Sequence, residues 1–252
     1  CDSDEILPKN WLASVVGPLG DKDTSAASGY RVYATTSFLS SVVSAWNMIG
    51  FIQSLRSPYF IGGSYALKKD IFRKAILHKW MTSVSEDAVV TQQLTKGRYQ
   101  IKFVPSAIVF SDYSNAFSHI TEFTTRQLVV IRCYFPKMWK IALAVFVFGR
   151  LSTIVGICML YLYFGTGNVL LALESFLFLW PVVFNALKAS IDHRNLRKIA
   201  EKEPGGKTAY IVADFIAQWL MTYNLLAAGL KKSIKWRGRK YIVRGDGLVL
   251  AD

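Results

Sequence analysis

Two long apolar runs constrain this chain more than any other feature. The first, IALAVFVFGRLSTIVGICMLYLYFG, covers Ile141 to Gly165, and the second, VLLALESFLFLWPVVFNALKA, covers Val169 to Ala189. Only a short uncharged turn separates them. A bilayer's hydrocarbon core takes ~20 mostly apolar residues of helix, so each run is long enough to cross and the pair reads as a transmembrane hairpin. The alternative is a buried helical hairpin in a soluble core, but continuous apolar runs of this length seldom fit a core of this size. Arg150 and Glu174 lie inside the runs. Each such charge costs ~3 kcal/mol on insertion scales, so both are expected to face protein or the interface. Composition agrees, because 52% of the residues are hydrophobic and mean hydropathy is positive, which is high for a soluble globule.

The third apolar stretch, Thr208 to Leu230, is of a different kind. Asp214, Gln218 and Thr222 recur at helical spacing and draw a polar stripe along an otherwise apolar helix. Basic residues cluster before the first run (Arg126, Arg132, Lys137, Lys140), between the second and third (Arg194, Arg197, Lys198, Lys202, Lys207) and from Lys231 to Lys240. The positive-inside rule puts all three clusters on the cytoplasmic side. The hairpin satisfies that rule and a third full crossing does not, so an interfacial or re-entrant third helix is expected. The net charge of +13 is then mostly a membrane matter, and it gives no nucleic-acid footprint.

Residues 1–122 carry the pattern of an α/β region, with strand-like apolar runs such as IKFVPSAIVF (Ile101 to Phe110) between helical stretches and turns. The cysteines are Cys1, Cys133 and Cys158, an odd number without a CxxC pair, which suggests neither a disulfide framework nor a zinc site. His78, His119 and His193 are dispersed and form no metal motif. In the opening CDSDE, Asp2 and Asp4 are spaced to project from a strand end towards one hard divalent cation and the anion it carries. A lone DxD is more often a solvated turn. In FIGGSYALKKDIF, Gly62 and Gly63 let backbone approach a ligand closely and Ser64 adds a hydroxyl; the plain alternative is a turn before a helix. In SVSEDAVV, Glu86 and Asp87 open a helix with Ser85 as the N-cap. A carboxylate there serves as general base or simply stabilises the helix dipole. Arg126 and Arg132 suit a diphosphate, or lipid headgroups.

In this order, DSD, GGS, ED and an arginine-bearing segment ahead of membrane helices resemble membrane-bound GT-A glycosyltransferases. The likeness is greatest to the ceramide glucosyltransferase-like branch, with its bacterial hopanoid-associated relatives. The tail IKWRGRKYIV, Ile234 to Val243, is similar to the W-R-G-x-x-Y ending of that branch. The resemblance covers nearly the whole chain. It implies that residues 1–122 are the later part of a Rossmann-like GT-A catalytic domain starting at the DxD strand. A membrane helix and the first half of the nucleotide-binding fold, with most uridine contacts, would then precede Cys1. Residues 123–140 become an interfacial arginine-bearing segment, 141–230 the membrane region and 231–252 a basic cytoplasmic tail.

Residue by residue, the resemblance assigns Asp2 and Asp4 to a Mg²⁺ or Mn²⁺ ion and the donor diphosphate. It places Gly62, Gly63 and Ser64 near the donor sugar or acceptor, and makes Asp87 the catalytic base with Glu86 beside it. The family's Q/RxxRW segment has no clean copy: FTTRQ, Phe123 to Gln127, keeps the arginine as Arg126 and has Gln127 in place of the tryptophan. Arg126, Gln127 and Arg132 become the diphosphate-side candidates. The function implied is inverting transfer of a sugar, glucose above others, from a UDP-sugar donor to a membrane lipid acceptor such as ceramide or a hopanoid. The protein would be an integral membrane protein with its catalytic face in the cytoplasm and no nucleic-acid partner. Two alternatives stand beside this one. A processive polysaccharide synthase is disfavoured by the altered Q/RxxRW segment and the small membrane portion. A non-catalytic membrane scaffold would make the acids merely structural. Trp46, Trp80 and Trp139 line an acceptor path, belong to the interfacial belt or are simply buried.

Overall fold

The computed structural model describes residues 1–56, 63–112, 117–199, 205–236, 238–244 and 247–250. Gly62, Lys202 and Arg237 lie outside the described residues. The elements begin with β1 (Glu5–Ile6), α1 (Trp11–Val16), β2 (Thr24–Ser28), β3 (Arg31–Tyr33), α2 (Phe38–Arg56) and β4 (Tyr65–Leu67). Next come α3 (Lys69–Ile71), α4 (Leu77–Met81), α5 (Glu86–Lys96), β5 (Gln100–Phe103), β6 (Val109–Ser111) and α6 (Phe117–Tyr134). Three long helices follow, α7 (Pro136–Thr166), α8 (Val169–Ile199) and α9 (Lys207–Leu230). The chain then forms β7 (Ser233–Trp236), β8 (Arg239–Arg244) and β9 (Gly247–Leu250). The fold is mixed α/β and mostly helical.

Two small sheets continue one another. In one, β2 lies between antiparallel β4 and parallel β5; in the other, β6 lies between antiparallel β1 and parallel β3. The break between β2 and β3 falls at Gly29, where a Cβ would lie 2.0 Å from the Ala107 carbonyl oxygen, so only glycine fits. The facing strands break in step at Pro105–Ala107, a 3₁₀ turn. The apolar run Ile101 to Phe110 is therefore two strands, because Pro105 has no N–H to give a ladder.

The helical core centres on α9, which packs against α2, α6, α7 and α8. Its buried Ala213, Ala217 and Ala228 let neighbouring helices come close. The stripe Asp214, Gln218 and Thr222 is buried too, and it faces protein. Lys188 of α8 pairs with Asp192 and lies 3.9 Å from Asp214, while Asn224 accepts a hydrogen bond from the Thr125 hydroxyl of α6 at 2.9 Å.

Helices α7, α8 and α9 are each long and apolar enough to cross a membrane. Helices α7 and α8 approach closely at Gly156, where a Cβ would lie 2.8 Å from Leu179 Cγ. Gly167, at φ +68°, ends α7 in the left-handed conformation. Both helices outrun the apolar stretches, and the last turns of α8 bury Asp192, His193 and Leu196. Arg150 is buried with its guanidinium over the Trp219 ring, as a charge inside an apolar run requires. Glu174 is exposed in the second turn of α8. The first half of α9 meets α8 at Lys188 and His193. Its second half meets α7 at Arg150 and Trp139. All four points lie in the half of the hairpin away from the Gly167 turn, so α9 crosses the hairpin's base.

Candidate functional site

Asp2 and Asp4 stand just ahead of β1, whose pairing with β6 fixes that end of the chain. Asp4 is exposed, and Asp2 carries an internal partner: Arg31 Nη1 lies 3.0 Å from Asp2 Oδ2 and 4.0 Å from Glu5 Oε1. The Glu5 side chain is fully buried and its Oε2 accepts the Asp2 backbone N–H at 3.3 Å. Burial pushes the Glu5 carboxyl up to about 7; nearby Arg31 opposes that rise and the charge on Asp2 adds to it. Burial also works against the charge on Arg31, but Tyr33 and the carboxylates of Asp2, Glu5 and Asp4 outweigh it and hold the guanidinium above its ordinary value. Gly63 closes over this group at φ +120°, with room for no side chain: a Cβ would lie 1.8 Å from Glu5 Oε1.

Glu86, at the start of α5, lines a cavity beside this group, and Asp87 is not among that cavity's lining residues. Ser85 occupies the N-cap, but its hydroxyl makes no bond to a backbone amide there. It donates instead to Asp87 Oδ1 at 2.6 Å, which also accepts the Ala88 N–H at 2.7 Å. Burial pushes the Tyr65 phenol up to about 12, and Glu86, Asp87 and Asp2 add to the rise. The cavity, of roughly 480 Å³, is lined by Asp2, Tyr65 and Glu86 together with Trp80 and Met81. Met81 is exposed and Trp80 partly so. Ser83, also on the cavity wall, hydrogen-bonds the Tyr134 hydroxyl at 2.9 Å, and Gln92 Nε2 donates to the Tyr134 carbonyl at 2.5 Å. Tyr134 ends α6, and α7 begins at Pro136.

The remaining sequence candidates have other surroundings. Ser64 is buried, and its hydroxyl donates to the Ala107 carbonyl at 2.6 Å and accepts from Trp11 Nε1 at 2.9 Å. Arg132 donates to the carbonyls of Ala228, Gly229 and Lys231 and so caps the C-terminus of α9. Arg126 lies over the rings of Phe123 and Trp236, and Gln127 follows it on α6, half-buried. Trp46 is buried, and Trp139 packs half-buried against Gly229. Motifs do not point to Glu5, Arg31, Tyr65 or Tyr134. Two of these sit directly beside motif residues, whereas Arg31 and Tyr134 reach the site only through long-range packing.

By donor chemistry Asp2 and Asp4 fit a hard divalent cation, Asp4 with an exposed carboxylate and Asp2 with a partly exposed one whose Oδ2 pairs with Arg31. Two carboxylates suffice when substrate phosphates complete the shell. Among the described residues, no group of three or more His, Cys, Asp or Glu gathers where it could hold a metal ion. No protein-family model matches the sequence, and a search of curated proteins returns no match.

Proposed function

We propose that the protein is an inverting glycosyltransferase that moves a sugar, glucose above others, from a nucleotide-diphosphate donor to a ceramide-like or hopanoid-like membrane lipid. One observation carries this reading. An acidic cavity, lined by Asp2 and by Glu86 at the start of α5, is tied through Ser83 to Tyr134, next to the first long apolar helix. A site built for a polar donor thus stands beside a route for an apolar acceptor. The exposed apolar rim of Trp80 and Met81 suits the same kind of acceptor. The two sheets of β1 to β6, in each of which the middle strand has one parallel and one antiparallel neighbour, are compatible with the later part of a GT-A domain.

In this mechanism Asp87, anchored through Oδ1 by Ser85 and Ala88, takes the proton from the acceptor hydroxyl as its oxygen attacks the anomeric carbon. The bond from that carbon to the diphosphate breaks, the configuration inverts, and the nucleoside diphosphate leaves with the bonding pair. Glu86, which lines the same cavity as Asp2, orients the acceptor hydroxyl. Asp2 and Asp4 would hold the divalent cation, which would supply positive charge to the leaving diphosphate. Helices α7 and α8 span the bilayer, α9 lies across their base, and the site faces the cytoplasm, where the basic clusters sit.

Nucleotide binding tests the polar half of this reading. The detergent-solubilised protein is expected to bind UDP in the presence of Mg²⁺ or Mn²⁺ and to lose about 10-fold or more in affinity when the cation is chelated. Asp2→Ala and Asp4→Ala are expected to reproduce that loss. UDP binding that ignores both the cation and the two substitutions contradicts the assignment.

A further inference from the structure

Resting on the glycosyltransferase reading, we infer that Arg31 is a specificity-determining residue, which makes the Asp2–Asp4 pair select a cation–diphosphate complex over the free divalent cation. Asp2 lines the acidic cavity, and Arg31 Nη1 lies 3.0 Å from its Oδ2. The Asp2 side chain is 44% exposed and that of Arg31 only 15%, so a ligand can reach the carboxylate while the guanidinium stays shielded. The charge of Asp4 acts on Arg31 as well. A divalent cation on the other oxygen of Asp2 would stand ~6 Å or less from the guanidinium, by ordinary coordination distances. Repulsion from a unit charge at that range weakens a bare divalent cation about 10-fold even in water. The complex of the same cation with a nucleoside diphosphate is net negative, and the guanidinium favours it. One arginine thus acts in opposite directions on the two ligands.

The fold holds this charge in place. Arg31 opens β3, which pairs in parallel with β6 in the register Arg31 to Val109. Its carbonyl accepts a hydrogen bond from Asn47 Nδ2 of α2 at 2.7 Å, and its guanidinium carbon stands 5.5 Å from the Tyr33 ring centre. Glu5 supplies a second carboxylate: its side chain is fully buried, and its Oε1 lies 4.0 Å from Arg31 Nη1 without a hydrogen-bond partner. Gly63 covers that oxygen, leaving no room for a Cβ. Glu5 is therefore placed to serve Arg31 and not a cation. It keeps the guanidinium compensated when Asp2 turns to a metal ion, as a shielded charge requires. Two carboxylates share one arginine, and only one of them faces the cavity.

Two titrations of the detergent-solubilised protein at pH 8 test this. One follows Mn²⁺ alone by the electron paramagnetic resonance of the free ion, and the other follows UDP at a saturating Mn²⁺ concentration. Arg31→Met is expected to tighten Mn²⁺ binding about 10-fold and to leave UDP binding no tighter than in wild type. Arg31→Lys keeps the charge and is expected to stay within about 3-fold of wild type in both titrations. Arg31→Met/Glu5→Gln removes both shielded charges together, so it tests the same point where the single variant loses its fold, and it too is expected to bind Mn²⁺ more tightly than wild type. Thermal unfolding of each variant separates a lost charge from a lost fold. Mn²⁺ binding that is unchanged or weakened in both Met variants overturns the inference, as does an equal gain for Mn²⁺ and for UDP. In either case UDP binding by the wild type leaves the glycosyltransferase reading in place. A wild type that binds no UDP with Mn²⁺ overturns both.

Discussion

At φ +120°, Gly63 occupies backbone that side-chain-bearing residues rarely adopt, and a Cβ there would lie 1.8 Å from Glu5 Oε1. Strain and clash act together at this position. Gly63→Ala is expected to lower stability by on the order of 2 kcal/mol, read as a fall in the unfolding midpoint in detergent. Gly17 is the control: its φ is −47° and nothing lies within 4 Å of an added Cβ. Gly17→Ala is expected to be neutral or slightly stabilising, through a less flexible unfolded chain. Adding Glu5→Ala to Gly63→Ala should relieve the clash and leave the backbone strain. A Gly63→Ala protein that melts with wild type contradicts the described closure of Gly63 over Glu5. The sequence marks this glycine as a place of close approach, and the structure supplies the group approached, a buried carboxylate next to the DSD motif. No local pattern carries that pairing, because Glu5 and Gly63 meet only through the sheets.

The three cysteines report on the elements that hold them. Cys1 is exposed near the cavity, Cys133 is buried in α6, and Cys158 is exposed on the apolar surface of α7. Burial pushes the Cys133 thiol up, against the opposing influence of Arg132, so little thiolate forms near neutral pH. In intact membranes opened to both sides, a charged maleimide at pH 8 is expected to label Cys1 and to spare Cys133 and Cys158. Detergent is expected to expose Cys158 first, and only unfolding exposes Cys133. Rapid labelling of Cys158 in the bilayer contradicts the assignment of α7 as a span. This element was legible in advance because its long apolar run is written into nearly every residue of the helix. The strands were less so: Pro105 signalled the break in Ile101 to Phe110, but the pairing of β3 with β6 and of β2 with β5 depends on residues far apart in the chain. The basic tail gave no sign that it would fold into three paired strands, since its charges mask the alternation of Ile234, Trp236, Tyr241 and Val243.

Across the whole molecule, the base of the hairpin is where the pieces meet. Helix α9 crosses there, Arg132 caps it, the terminal sheet follows from it, and Tyr134 links the same junction to the cavity wall. The order of motifs along the chain put the acidic residues ahead of the long apolar helices, but it did not reveal the side chains that join them. The central claim is that this joined site transfers a sugar to a lipid. The most direct measurement incubates membranes carrying the protein with radiolabelled UDP-glucose and a divalent cation, then counts label in the organic-extractable lipid. Label that appears with wild type is expected to fall at least ~100-fold with Asp87→Asn, the usual scale for losing a general base, and less with Glu86→Gln. Label confined to insoluble polymer, or no label from UDP-glucose, UDP-galactose or UDP-N-acetylglucosamine, contradicts the claim.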